Sequence, residues 1–473
     1  MSQLYLSATH KSSGKTTLCL GIGRALSRRG LKVQAFKKGP DYIDPIWHGR
    51  ATGRPCYNLD FRLMREDEIV ALHRRHAADA DLGLVEGNMG LFDGMDPGGR
   101  DSNAAMARRL GLPVLLVLDC TGMTRGAAPL LLGYQAFDPG LRIAGVILNK
   151  VAGERHESKL RAVIEQYTDL PVLGALHRDP GLSIVERHLG LIPGNESLEA
   201  EARIDAIAAA VEAQVDLDAL LRAGQDVRLP RAEGRAASLR PAFTGPQRLR
   251  LAYARDRAFG FHYAEDLDTL RDAGVELRPF DTLRDARLPD ADGLWLGGGF
   301  PESFMTELEA NQSLRADLHA RITAGLPTYA ECGGLMYLCR QLRWGGRSAA
   351  MVGVVPADAV MTDQAVGRGY ASLRLSGAHP LAEPEGAVVA AHEFHHSGLQ
   401  ALAPGLTHAY TVERGHGIDG RNDGIVLGNL LAAYCHRRGS GEHGWIGPFI
   451  AEMQRWRIKN TSLAEPSSSA LLS

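Results

Sequence analysis

Short apolar runs alternate with stretches of helical periodicity over the first two hundred residues. Leu4-Tyr5-Leu6, Lys32 to Phe36, Leu82 to Val85, Pro113 to Leu118, Ile143 to Leu148 and Val172 to Leu176 are runs of strand length with little polar alternation. Such runs read as strands buried on both faces. Leu18 to Leu26 and Glu66 to His76 lie between them at helical spacing, so a parallel sheet covered by helices is predicted. An Ala/Leu-rich helix from Ser197 to Leu221 closes this first domain, 1–221. Residues 222–248 carry Pro230, Pro241 and Pro246 without clear periodicity and read as a linker. Apolar runs resume at Leu249 to Ala254, Asp292 to Leu296, Thr328 to Glu331 and Ile425 to His436, giving a second α/β domain, 249–459. The polar tail 460–473 is expected to be disordered.

The chain has 473 residues and a formal charge of −2, so no basic surface for nucleic acid or an anionic membrane is expected. No run of 18 apolar residues suggests a membrane span, and the first residues enter a strand directly. The six cysteines are scattered without a C-x-x-C pair, which suits reduced thiols and a cytoplasmic location.

Candidate chemistry begins where the first strand breaks into Thr9-His10-Lys11-Ser12-Ser13-Gly14-Lys15-Thr16-Thr17 and a helix resumes. A phosphate chain needs inward backbone N–H groups, a helix N-terminus and a flexible cation. Ser13-Gly14 supplies the turn, Lys15 the β/γ-phosphate contact and Thr16 a hydroxyl for Mg²⁺, with Thr17 beside it. Thr9 departs from the P-loop pattern, which has glycine there, and His10 stands where partition-type ATPases place a second lysine. Asp41 and Asp44 in the loop Lys37 to Pro45 are possible Mg²⁺ ligands at a strand's carboxyl end. Glu86 ends an apolar strand as a Walker-B acid does, and Asp93 in the Gly-rich loop beyond can reach metal or substrate. Asn149 ends another strand at the base-recognition position of many P-loop proteins.

In the second domain Thr328-Tyr329-Ala330-Glu331 turns sharply at Cys332 into Gly333-Gly334 and a helix. This is a nucleophile elbow, with the helix N-terminus expected to lower the thiol pKa. Gly298 and Gly299 of the triple glycine 297–299 are candidate oxyanion donors. The base should be a histidine, and several compete: His436 ends an apolar stretch where a base could face Cys332, and His392, His395 and His396 lie upstream. His392-Glu393-Phe394-His395-His396 matches the zinc-protease H-E-x-x-H pattern, which works only on a helix, and here it falls in a strand-and-turn context.

Taken together, Ser13 to Thr17, Lys38 to Pro45, Glu86 to Gly94, Gly297 to Glu302 and Ala330 to Leu335 resemble, in order, the blocks of the cobyrinic acid a,c-diamide synthase family. The resemblance spans nearly the whole chain. It implies an N-terminal P-loop, dethiobiotin-synthetase-like parallel-sheet domain that forms amides with ATP and Mg²⁺. Fused to it would be a C-terminal class I glutamine amidotransferase domain. By that likeness Cys332 and His436 hydrolyse glutamine, while Asp41, Glu86 and Asp93 hold Mg²⁺ and promote phosphoryl transfer to a substrate carboxylate. The partners implied are glutamine and a cyclic tetrapyrrole amidated on peripheral acetates, a and c in cobyrinic acid, with a homodimer left open. Phe61-Arg62-Leu63-Met64, Asp101-Ser102-Asn103 and His436-Arg437-Arg438 depart from the usual blocks and also resemble the sirohaem amidase branch. Cobyrinic acid is the expected substrate, with sirohaem as the alternative. A P-loop regulatory ATPase with an inert second domain is the rival of another class.

Overall fold

The computed structural model of the chain describes residues 1–182, 184, 186–187, 190–191, 199–230 and 248–464. Residues 231–247 of the expected linker, 465–473 of the expected tail and 197–198 of the expected helix lie outside the described residues. The chain divides into two compact units, Met1–Ala236 and Ala237–Ser473. No described helix is long and apolar enough to cross a membrane.

Seven strands of the first unit form one parallel sheet: β1 (Ser2–Ala8), β2 (Val33–Lys38), β3 (Tyr57–Leu59), β4 (Leu82–Gly90), β5 (Val114–Asp119), β6 (Ile143–Val151) and β7 (Val172–His177). Their order is β3-β2-β4-β1-β5-β6-β7, and every pairing is parallel, as the apolar runs predict. β1 lies at the centre with all its residues buried. The helices are α1 (Lys15–Arg28), α2 (Ile43–Thr52), α3 (Glu66–Ala77), α4 (Asn103–Leu110), α5 (Ala127–Phe137), α6 (Glu154–Tyr167), α7 (Ala200–Gln214) and α8 (Leu217–Ala223). Leu18, Ile22 and Leu26 of α1 pack with Val211 of α7 and Leu217 of α8 against the sheet residues Leu4, Leu6 and Leu84. Close approach of α7 requires Gly21, where a Cβ would stand 2.4 Å from Val211 Cγ2.

Three local expectations are corrected. The loop expected through Pro45 ends at Tyr42, because Asp41 Oδ1 accepts the N–H groups of Ile43 (2.8 Å) and Asp44 (3.0 Å) and so starts α2. The strand expected to end at Glu86 continues to Gly90, bulging between the Leu6–Glu86 and Ala8–Gly90 pairs. The single helix expected to Leu221 is two. Val215 is extended and bridges Gly174, and Asp216 caps α8 by accepting Ala219 N–H at 2.8 Å.

In the second unit ten strands form a mixed sheet. Glu276–Phe280, Arg250–Ala254, Gly293–Leu296, Thr328–Glu331 and Leu430–Ala433 are parallel neighbours in that order. Asn422–Leu427, Thr407–Arg414, Gly367–Leu375, Val388–His395 and His436–Arg437 then extend it antiparallel. Alternation along Leu294-Trp295-Leu296 sends the leucines to one core with Ala330 and Leu335. Trp295 faces the other core, where Tyr329 stacks on Trp445 at 4.1 Å between ring centroids. Trp445 leads into the last helix, Ile446–Ala464, so residues 460–464 of the expected disordered tail are helical.

Candidate functional site

Parallel strands place their carboxyl ends on one edge, where open α/β sheets bind ligands. In the first unit that edge carries the loop from β1 to α1, the ends of β2 and β6, and the bulge of β4. Ser13 Oγ donates to His10 O at 2.8 Å, closing the loop on itself. Gly14 has φ +90°, and a Cβ there would lie 2.1 Å from Asn149 Nδ2. That amide nitrogen donates to Ser13 O at 2.7 Å, so Asn149 tethers the loop. Lys15 is buried, its Nζ is 3.4 Å from His10 O, and burial pushes its pKa down to about 8, with Glu86 opposing. The first-turn N–H groups of α1, including those of Thr16 and Thr17, have no intrahelical acceptor and suit phosphate oxygens.

Behind the loop lies a buried cluster of acids and cations. Lys37 of β2 and Glu86 of β4 pair in register, and Lys37 Nζ stands 2.7 Å from Glu86 Oε1 and 2.5 Å from Asp44 Oδ2. His48 Nε2 is 2.5 Å from Glu86 Oε2. Thr16 Oγ1 donates to Glu86 Oε1 at 2.7 Å and reaches Asp44 Oδ2 at 3.3 Å. Burial opposes ionisation of Glu86, but Lys37 and His48 override it and hold the carboxyl well below its usual range. Burial likewise opposes the Lys37 charge, which Asp44 and Glu86 restore.

The expected ligands Thr16 and Glu86 therefore meet, and the acid beside them is Asp44. Asp41 starts α2 through Oδ1, and burial together with Asp44 raises its pKa to about 6. Asp93 is exposed beyond β4, outside the Thr16–Asp44–Glu86 cluster. With burial, it raises the Tyr134 phenol to about 12, and that hydroxyl donates to Thr9 O at 2.6 Å. Two carboxylates bridged by the Lys37 ammonium, with the Thr16 hydroxyl bonded to them, form a hard-oxygen set that fits a cation such as Mg²⁺.

In the second unit Cys332 sits at φ +48° and ψ −104°, a region costly for a residue with a side chain, between the strand Thr328–Glu331 and the helix Gly333–Leu338. Its N–H donates to Ala433 O at 2.8 Å, tying the bend to the neighbouring strand. A Cβ on Gly334 would lie 2.2 Å from Leu296 O, so only glycine lets the helix leave the bend so tightly. The loop with Gly298 and Gly299 pairs antiparallel with Phe261 and Phe259. Gly299 N lies beside Gly333, and a Cβ on Gly298 would stand 2.7 Å from His436 Cε1. The oxyanion candidates thus adjoin both the elbow and the expected base.

His436 stands opposite His392 in register, and the rings stack at 5.0 Å. Burial pushes the His436 pKa down to about 3, with His395 adding to it, and the imidazole is neutral at rest. The expectation of a lowered thiol pKa is corrected: burial, then the Glu302 carboxylate, raise Cys332 to about 12. Six residues of helix do not offset that burial. His392 and Glu393 lie on the strand Val388–His395, and Glu393 accepts the N–H groups of His416 (2.6 Å) and Gly417 (2.9 Å). The zinc-protease pattern therefore lacks the helix it needs.

Lys37, His48 and Glu331 escaped the sequence reading. Two carried a signal: Lys37, expected to open the loop, is instead the penultimate residue of β2, buried at every position, and Glu331 is a charge in a buried strand directly before the nucleophile.

Comparison with known proteins accords with both halves. Residues 6–192 match the CobQ/CobB/MinD/ParA nucleotide binding domain. Residues 250–441 match the CobB/CobQ-like glutamine amidotransferase domain. A cobyrinate a,c-diamide synthase of Magnetococcus marinus is 44% identical over 96% of this chain and 97% of its own. Those of Listeria innocua (40% identical, 92% of this chain, 96% of its own) and Methanosarcina acetivorans (39%, 96% and 96%) are similar throughout. With relatives so alike over nearly their full length, the chain belongs to the cobyrinate a,c-diamide synthase family.

Proposed function

We propose that this enzyme converts the a and c acetate carboxylates of cobyrinic acid to amides, using ATP and glutamine. The preference for cobyrinic acid over sirohaem rests on relatives named for the former. The observation that carries the reading is one chain joining a phosphate loop backed by the Lys37–Asp44–Glu86 cluster to a strained cysteine elbow beside His436.

A carboxylate does not exchange its oxygen for ammonia in water, because hydroxide is a poor leaving group. An oxygen of the substrate carboxylate attacks the γ-phosphorus of ATP, and the bond to the β-phosphate oxygen breaks, releasing ADP. Lys15 and the N–H groups of Thr16 and Thr17 bind the phosphates and stabilise the charge that develops. Thr16, Asp44 and Glu86 would hold Mg²⁺, which when bound neutralises phosphate charge. Ammonia then attacks the acyl phosphate carbon, and inorganic phosphate leaves. In the second unit the Cys332 thiol gives its proton to His436 as sulfur attacks the glutamine side-chain carbonyl. The C–N bond breaks, the proton passes to the departing nitrogen, and water hydrolyses the glutamyl thioester to glutamate. Gly298 and Gly299 N–H groups are the proposed donors to the carbonyl oxygen.

Cys332→Ser separates the two halves of this scheme. Glutamine-driven amidation of cobyrinic acid should fall by about 1,000-fold or more, and the ammonia-driven rate should stay within about twofold, as the phosphate site is untouched. Equal loss of both rates in a folded variant, or no turnover of cobyrinic acid by the unaltered enzyme, would refute the reading.

A further inference from the structure

Glu331 is almost fully buried, at 2% exposure, in a strand otherwise made of Thr328, Tyr329 and Ala330. Burial is unfavourable for a carboxylate and raises its pKa to about 7, so its position calls for a reason. Its two oxygens have different partners. Oε1 accepts the Tyr329 hydroxyl at 2.9 Å and the Arg437 N–H at 3.0 Å, which fixes the plane of the group. Oε2 faces His436 Nδ1 at 3.6 Å. The sheet register sets this arrangement: Glu331 pairs with Ala433, and Cys332 N–H donates to Ala433 O. Nucleophile and carboxylate are thus successive residues facing the segment that carries the histidine. Asp423, another buried acid near His436, has its oxygens committed to the N–H groups of Tyr434 and Cys435, each at 2.9 Å.

We infer that Glu331 is the positioning residue of the glutaminase, acting through His436; this rests on the proposed roles of Cys332 and His436. Oε2 holds the ring with Nδ1 toward the carboxylate, leaving Nε2 to take the thiol proton. It also stabilises the imidazolium that exists while the proton is on the ring. The proton moves from sulfur to Nε2 and then to the leaving nitrogen, and Glu331 ends each turnover in the state in which it began.

The test is glutamine hydrolysis by the full-length enzyme, with kcat and KM measured separately, for Glu331→Gln and Glu331→Asp. The amide of Glu331→Gln retains a carbonyl oxygen for Tyr329 and Arg437 but loses the negative charge. Its kcat is expected to fall by about 100-fold, the scale of an impaired general base, with KM for glutamine within about twofold. Glu331→Asp should recover at least about tenfold of that loss, and ammonia-driven amidation should be unchanged in both. A Glu331→Gln enzyme that keeps half of the original kcat overturns the inference. So does a defect in KM alone, an aspartate variant no better than the glutamine one, or parallel loss of the ammonia-driven rate. Cys332→Ser run alongside distinguishes the two failures. Retained hydrolysis there would sink the glutaminase reading itself, whereas its loss beside an active Glu331→Gln would sink only the role of Glu331.

Discussion

At Cys332 two requirements oppose one another. The glutamyl thioester must be shielded from stray reaction, which calls for burial, yet burial and the Glu302 carboxylate push the thiol up to about 12. The resting residue is therefore a thiol, and the proton must leave during attack rather than before it. Its alkylation by iodoacetamide, followed by peptide mapping, should be slower than that of free cysteine at pH 7.5 by on the order of a thousandfold. Because a raised pKa keeps the thiolate scarce until the solution is strongly alkaline, the rate should climb with pH without levelling off below pH 10. A plateau below pH 8 would show a resting thiolate and contradict this electrostatic picture. The place of Cys332 was legible because two glycines follow a buried strand. Its ionisation was not, since burial at the bend dominates it and the carboxylate that adds to the effect, Glu302, lies thirty residues earlier in the chain.

Elements carry these side chains, and the segment leading to His436 shows how firmly. Asp423 accepts the N–H groups of Tyr434 and Cys435 between the strands Leu430–Ala433 and His436–Arg437, so a single carboxylate anchors the approach to the base. Asp423→Ala leaves two buried N–H groups unmet, at a cost of roughly 2–6 kcal/mol. Denaturant unfolding should register that loss, and glutamine hydrolysis should fall with it as His436 loses its setting. A variant with unchanged stability and full hydrolysis would show that the anchor is dispensable. At this scale the strands were legible because unbroken apolar runs have few other uses. The start of α2 was not, since Pro40 and Pro45 advertise a loop while the helix-starting acceptor is Asp41. The extension of β4 to Gly90 was hidden by its glycines, and only the neighbouring β1 reveals the bulge.

Over the whole molecule, each unit contains its own hydrophobic core, with Leu6, Ile22 and Val211 in one and Leu296, Ala330 and Leu335 in the other. Calorimetry should then resolve two unfolding transitions, each responding to its own ligand. A nucleotide at about 100 times its Kd contributes about 2.7 kcal/mol to the unit that binds it, which for a unit of this size raises one transition by about 5–10 °C. The other should not move; a common shift would mean that the two cores melt together. Two domains were legible from the restart of apolar runs at Leu249, but strand order was not. The contact between Glu331 and the Arg437 N–H joins residues 106 positions apart, and no local pattern announces it. Lys37 has a consequence of another kind. With an ammonium of its own set between Asp44 and Glu86, the protein carries a permanent counter-ion where two buried acids would otherwise repel. The chain can thus fold around these two acids with their charge balanced from within, before any ligand is present.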